Sequence, residues 1–363
     1  MFNVNGALLE YDIDMSIFAR LSRSGLLKGG ALLLLGLCIG VVIGYFYKGK
    51  VGSENIADSI KQSLVPIEEK GTSYAFVHPL LAYRTPEATI LGDYVSLKDS
   101  LQTIVNSAVN GSQAARVSVY FRDLDAGRWV GIGQDDTYYP ASLLKVPTMI
   151  AYYKEAEEDP STFSQNIIYD PGVMPNEPFL APSELVAGNS YSVESLIKYM
   201  VTDSDNGATF TLLSRISPDF LNAVYTALGV QNPGNDSANY QISARTYGLF
   251  FRVLYNATYL SPGYSERALK LLSQATFTDG LAAGVPKETT IAHKYGNRIL
   301  SQNGNVTGVE LSDCGIVYYP AHPYLLCVMT SSNNVPTASK IIANISRAAY
   351  TAVQQRYATT TAQ

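Results

Sequence analysis

Cysteine is scarce in this chain of 363 residues: Cys38, Cys314 and Cys327 are the only three, and no Cys-x-x-Cys pair occurs. That excludes the disulfide framework of a small secreted domain and a thiolate zinc site. Histidine is as sparse, and His78, His293 and His322 lack zinc-ligand spacing, so no metal or other cofactor is implied. Positive charge is also in deficit. Lys and Arg number 26 against 31 Asp and Glu, a net charge of −5, which leaves no basic surface for a nucleic-acid partner. Charged residues make up 16% and hydrophobic residues 47%, the balance of a globular protein with some membrane character. The length suits one large domain or two small ones. Nothing in the composition fixes an oligomeric state.

One long stretch lacks charge altogether. Residues 1–28 end in Arg20, Arg23 and Lys28, and from Gly29 to Tyr47 no charged side chain appears. As a helix this run is about 28 Å long, close to the hydrocarbon thickness of a bilayer. It ends in Tyr45-Phe46-Tyr47, an interfacial anchor rather than the small residues of a signal-peptidase site. Cys38 follows Leu37, where a lipidation site needs a small residue. The expectation is a cytoplasmic segment 1–28, a single transmembrane helix 29–47, a juxtamembrane stalk 48–84, an extracytoplasmic domain 85–356, and a disordered tail 357–363.

Within the domain, Leu91–Val109 has helical spacing and stops before Asn110-Gly111. Arg116–Phe121 and Arg128–Gly133 read as a strand pair about Asp125-Ala126-Gly127. Glu155–Ser192 reads as irregular. Amphipathic segments follow at Val193–Val201, Ala208–Ile216, Phe220–Leu228, Ser243–Tyr255 and Pro262–Leu272. Thr290–Tyr295 is a short strand ending at Gly296, and Asp313–Tyr319 and Tyr324–Thr330 are apolar strands about Pro320–Pro323. Pro336 opens a final helix. In this register Cys314 and Cys327 are diagonal neighbours and remain free thiols. The fold class is α+β: a five-stranded antiparallel sheet flanked by helices, with a mostly helical subdomain inserted between its second and third strands.

The chemistry centres on Tyr138–Ala151, where Ser142 and Lys145 lie one helical turn apart. A serine at a helix start sits at the positive end of the dipole, beside free N–H groups able to hold an oxyanion. A lysine one turn inward on an apolar segment is desolvated, which lowers its pKa and lets it accept the serine's proton. Pro147, about five residues into such a helix, bends it slightly. A second copy, Ser195-Leu-Ile-Lys198, reads as an ordinary helix face.

Two further elements follow in order, Ser204-Asp205-Asn206 and Lys294-Tyr295-Gly296. Together with Ser142-x-x-Lys145 they resemble the active-site serine family of class A β-lactamases and penicillin-binding D,D-peptidases, over roughly Thr85 to Tyr350. The resemblance implies a β-lactamase/transpeptidase-like fold and a set of roles. Ser142 is the nucleophile that forms an acyl-enzyme and Lys145 takes its proton. Ser204 relays a proton to the leaving nitrogen, assisted by the charge of Lys294. Asn206 binds the substrate's amide, and the N–H groups of Ser142 and Asn297, beside Gly296, form the oxyanion hole. Taken singly, Ser204 and Asn206 also suit helix caps, and Lys294 suits a strand-edge lysine.

Two departures qualify the resemblance. Class A enzymes carry a glutamate that activates the deacylating water, and Pro218–Ile242 contains no glutamate, only Asp219 and Asp236. Tyr295 stands where the family has the Thr or Ser that binds the substrate carboxylate. His293, adjacent, reads as structural. The expectation is an acyl-transfer enzyme acting on peptidoglycan stem peptides and trapped by β-lactams. The alternatives are a true β-lactamase using Asp236 or a water network, an esterase, and a non-catalytic penicillin-binding scaffold.

Overall fold

The computed structural model describes residues 94–172 and 183–358, apart from 235 and 237, and ahead of them 67–68, 74–77 and 80–82. The expected transmembrane segment 29–47 lies outside the described residues, as does most of the stalk. No helix among the described residues is long and apolar enough to cross a membrane.

Five strands form one antiparallel sheet. They are β1 (Ala114–Asp123), β2 (Trp129–Ile132), β3 (Ile291–Gln302), β4 (Asn305–Val317) and β5 (Tyr324–Ser332), in the order β2-β1-β5-β4-β3. The central strand explains the packing. In β5, Tyr324, Leu326 and Val328 face one core cluster, while Leu325, Cys327 and Met329 face the other. Side chains alternate across a strand, so a strand buried on both faces reads as one apolar run. On one face lie α1 (Val95–Asn110) and α8 (Val335–Ala358), through Leu97, Leu101, Ile342 and Ile345. Tyr94, just before α1, and Tyr357, near the end of α8, both donate to Asp123 Oδ2, at 2.8 and 2.9 Å.

The other face carries the helical part: α2 (Lys145–Glu158), α3 (Val193–Thr202), α4 (Asn206–Arg215), α5 (Pro218–Ala227), α6 (Ala244–Tyr255) and α7 (Pro262–Leu272). Ser192, Asp205, Ser217 and Ser243 accept N–H groups at the starts of α3 to α6, as short polar caps do. The sheet, its order in the chain and the helical insertion therefore match the sequence reading.

Four features differ from it. First, β3 continues through Gly296 to Gln302 and turns back at Asn303-Gly304, whose φ values of 53° and 78° are those of a tight two-residue hairpin turn. Second, Cys314 and Cys327 are directly opposite each other in the β4–β5 ladder and form a disulfide. The connection runs from Tyr318 to Pro323, not Pro320 to Pro323, and that shifts the register from diagonal to opposed. Third, the region read as irregular holds the end of α2 and a small ladder pairing 166–168 with 190–192. Fourth, the packed body includes residues ahead of Thr85. The N–H groups of Ala75, Phe76 and Val77 donate to the Glu266 carboxylate at 3.0, 2.7 and 3.1 Å, and Val77 is buried in the core.

Candidate active site

The segment entering Ser142 is fixed from several sides. Thr137-Tyr138 pairs with Ile242-Ser243, the Tyr138 hydroxyl lies 3.0 Å from Ser118 Oγ, and Tyr139 N donates to Glu310 at 2.8 Å. Ser142 then sits in a single 3-10 turn, Ala141–Leu144, whose Leu143 carbonyl accepts the Tyr247 hydroxyl at 2.9 Å. The α-helix proper begins only at Lys145, which places Pro147 in its first turn, where a missing N–H costs no helical bond. The expected bend has no cause. Ala141, just before Ser142, holds φ 47°, a left-handed conformation that costs a non-glycine residue free energy and persists only where surroundings impose it.

Ser204 also holds a left-handed backbone, at φ 59°, and it is completely buried. Its position divides the labour within Ser204-Asp205-Asn206. Asp205 is the helix cap, accepting Ala208 N at 2.6 Å. That leaves the side chains of Ser204 and Asn206 free of capping duty, and both turn to Lys145. The Lys145 amine donates to Ser204 O at 2.5 Å, Ser204 Oγ at 3.1 Å and Asn206 Oδ1 at 2.7 Å. From the sheet side, the Lys294 amine donates to the same Ser204 Oγ at 2.9 Å and to Tyr295 O at 3.0 Å.

Two lysines thus meet at one hydroxyl. Their amines lie within about 6 Å of each other, close enough for like charges to oppose joint protonation. The Lys294 pKa is pulled well below the usual lysine range, first by complete burial and second by the charge of Lys145. A lysine in that state can take up a proton as well as release one.

Gly296 brings β3 against the serine turn. A Cβ at this position would sit 2.4 Å from Pro140 O, 3.0 Å from Leu143 N and 3.1 Å from Ser142 N, so only glycine allows the approach. The next residue, Asn297, follows this contact directly on β3. The Tyr295 ring is buried, stacks on Phe277 with centroids 4.1 Å apart and lies 4.2 Å from the Lys294 amine, so it packs on the α1/α8 side and against the site lysine at once. His293, also on that face, is buried with Nδ1 2.8 Å from Asp313 Oδ1, while Asp313 Oδ2 accepts Leu281 N at 2.8 Å. This is the structural role read for it.

The structure thus brings Lys145, Ser204, Asn206 and Lys294 into one hydrogen-bonded group, with Gly296 and Asn297 beside the Ser142 turn. Two contributors were not read from the sequence. Arg298 stacks its guanidinium on Tyr139 at 3.8 Å and donates to Ala238 O, clasping the chain between α5 and α6 to the site. Cys314 lies opposite Lys294 in the β3–β4 ladder, so the disulfide, which ties β4 to β5, braces the strand on which the lysine's own strand is paired. Within the clasped segment Asp236 is exposed and accepts from Asn239 at 2.8 Å. Among the described residues no cluster of His, Cys, Asp and Glu could hold a metal ion.

Comparison with known proteins identifies the family. A model described as the β-lactamase enzyme family matches residues 96–353. A β-lactamase of Streptomyces lavendulae is 22% identical over 249 residues, covering 64% of this chain and 78% of the relative. One from Streptomyces albus G is 25% identical over 251 residues, covering 62% and 76%. Among solved structures, PBP-A matches with a TM-score of 0.59 at 24% identity, over 71% of this chain and 97% of its own. A β-lactamase from Chitinophaga pinensis matches with a TM-score of 0.60 at 19% identity, over 70% and 99%. At these identities the structural likeness establishes the fold.

Proposed function

The chain belongs to the β-lactamase enzyme family and is a serine hydrolase of that family; from that premise we propose that it is an acyl-transfer enzyme which β-lactams trap and which works on D-alanyl-D-alanine stem peptides of peptidoglycan. In this reading Ser142 attacks the carbonyl, and the Lys145–Ser204–Lys294 group carries its proton to the leaving nitrogen. The N–H groups of Ser142 and Asn297 hold the oxyanion, a contribution of about 3–4 kcal/mol per donor.

One observation carries the choice between trapping and turnover. The hydrogen-bonded lysines and serine serve acylation, yet the segment between α5 and α6 supplies no glutamate, and its Asp236 is turned to solvent and bonded to Asn239. A positioned general base is typically worth about 10²- to 10⁴-fold, so the acyl-enzyme is expected to hydrolyse slowly. A solved form of PBP-A, its L158E mutant, is described as an acyl-enzyme complex with penicillin G, the class of ligand proposed here. An extracytoplasmic location at the membrane is proposed with it. The uncharged run 29–47 supports an anchor, and the Cys314–Cys327 disulfide suits an oxidising compartment.

Intact mass after addition of penicillin, followed over time, tests the proposal. The expected result is one stable adduct per chain, absent in Ser142→Ala. Steady-state turnover of a chromogenic cephalosporin above about 10 s⁻¹, the median for enzymes, would replace it with a true β-lactamase. A second reading, an esterase, is favoured by Tyr295 being packed on Phe277 in place of a carboxylate-binding hydroxyl. Faster acylation by short aryl esters than by D-alanyl peptides would select it. Failure of every acylating probe would leave a non-catalytic scaffold.

A further inference from the structure

Arg298, Glu310, Ser331 and Arg116 stand opposite one another in successive ladders, one row across β3, β4, β5 and β1. Residues two apart on a strand share a face, so this row emerges on the side of Lys294 and Gly296. Its centre is a buried carboxylate that the proton path does not use. Glu310 is 3% exposed, and a charge so placed is costly unless its oxygens find donors. Both do, and the donors differ. Oε1 accepts from the Arg116 guanidinium at 2.8 Å, and Oε2 accepts from the Tyr139 N–H at 2.8 Å. Arg116 also lies over the Tyr138 ring, 4.1 Å from its centroid, so the pair grips two successive residues of the segment that enters the serine turn.

Tyr139 is three residues ahead of Ser142. Between them stand Pro140, whose carbonyl meets the bare Gly296 backbone, and Ala141, whose left-handed conformation persists only where its surroundings over-determine it. Past the serine, Leu143 O accepts the Tyr247 hydroxyl at 2.9 Å. The turn is therefore held at both ends, by a carboxylate from the sheet and by a phenol from α6. The sheet-side hold can be made only by a carboxylate. Both of its neighbours are donors, and an amide has a single acceptor oxygen, so a glutamine here would turn its NH2 on either Arg116 or Tyr139 N.

We infer that Glu310 is a positioning residue for the nucleophile: it pins Tyr139, keeps Ala141 left-handed and so aims Ser142 Oγ, with Arg116 as the counter-charge that lets the carboxylate stay buried. This inference rests on the reading of Ser142 as the group that is acylated.

The test measures, in the full chain, the second-order rate of Ser142 labelling by a fluorescent penicillin, with a urea midpoint for every variant. A misplacement of about 1 Å costs roughly 10²-fold, so Glu310→Gln is expected to label about 10 to 100 times more slowly. Adding Arg116→Gln is expected to bring the rate back to within threefold of wild type. The amide at 310 then accepts from Tyr139 N and donates to the new amide oxygen at 116. A role in stability alone would not produce that recovery. Val353→Ala, a core truncation on α8, lowers the urea midpoint and keeps the rate. Glu310→Asp retains the charge but withdraws the carboxylate by about 1.5 Å, one carbon–carbon bond, and is expected to slow labelling tenfold or more even if Glu310→Gln does not fold. A folded Glu310→Asp that labels within threefold of wild type overturns the inference, and so does a double variant as slow as Glu310→Gln. Labelled wild type with unaffected variants sinks the positioning role alone, whereas a wild-type chain that no acylating probe labels sinks the underlying reading with it.

Discussion

Replacing Gly296 with alanine puts a methyl carbon 2.4 Å from Pro140 O, 3.0 Å from Leu143 N and 3.1 Å from Ser142 N. Ordinary contact begins at 3.4 Å, so the strand and the serine turn must separate by about 1 Å at the place proposed for the two oxyanion donors. β3 is an edge strand, which lets it yield without unfolding the sheet. The cost to stability is that of overpacking, about 1–3 kcal/mol. The cost to chemistry is larger. A misplacement of about 1 Å is worth roughly 10²-fold, and loss of one oxyanion donor about 10²- to 10³-fold. Gly296→Ala is therefore expected to acylate about 100 to 1,000 times more slowly while remaining folded. The assay is the second-order rate of labelling by a fluorescent penicillin, with circular dichroism and a melting curve as the folding control. Gly263→Ala, where an added Cβ meets nothing within 4 Å, sets the baseline. A folded Gly296→Ala protein that labels within threefold of wild type would refute the placement of the oxyanion hole.

The depressed Lys294 pKa makes a linkage prediction. Between its lowered pKa and about 10.4 the unfolded chain binds the extra proton, so the penalty it imposes is full at low pH and fades as pH rises. Urea midpoints from pH 6 to 10 should therefore rise for wild type relative to Lys294→Met, and a flat difference would contradict the burial argument. For the disulfide, protein from an oxidising compartment, unfolded and alkylated without reductant, should take up reagent at Cys38 alone. Cys314→Ser with Cys327→Ser should lower stability by about 3 kcal/mol, the chain-entropy value for a loop of this size; alkylation at three sites would show the bond is absent. Glu266→Gln removes a charged acceptor from three N–H groups. Limited proteolysis near residues 74–77 should accelerate while penicillin labelling holds, and unchanged cleavage would mean the strap is not held there.

What the sequence showed depended on how local each feature is. The five strands and the helical insertion announce themselves through periodicity, and Ser142, Lys145, Ser204, Asn206 and Lys294 through short spacings. Register is less local. Moving the ends of the β4–β5 connection by two residues on one side turns a diagonal pair of thiols into an opposed pair, and nothing in either strand alone fixes those ends. Asn303-Gly304 is an Asn-Gly hairpin signal, but a strand expected to end at Gly296 does not reach it. A glycine inside a strand can mark a close backbone approach instead of a stop, and at Gly296 the neighbour is the turn that holds the nucleophile. The left-handed backbones of Ala141 and Ser204 had no signal at all, because neither residue type prefers that conformation. Ala141 opens the Ser142 turn and Ser204 receives both lysine amines, and their packed surroundings impose both conformations. Local preference gives way where the hydroxyl groups must be aimed, so the residues that a single-sequence reading places least well are those that the chemistry constrains most.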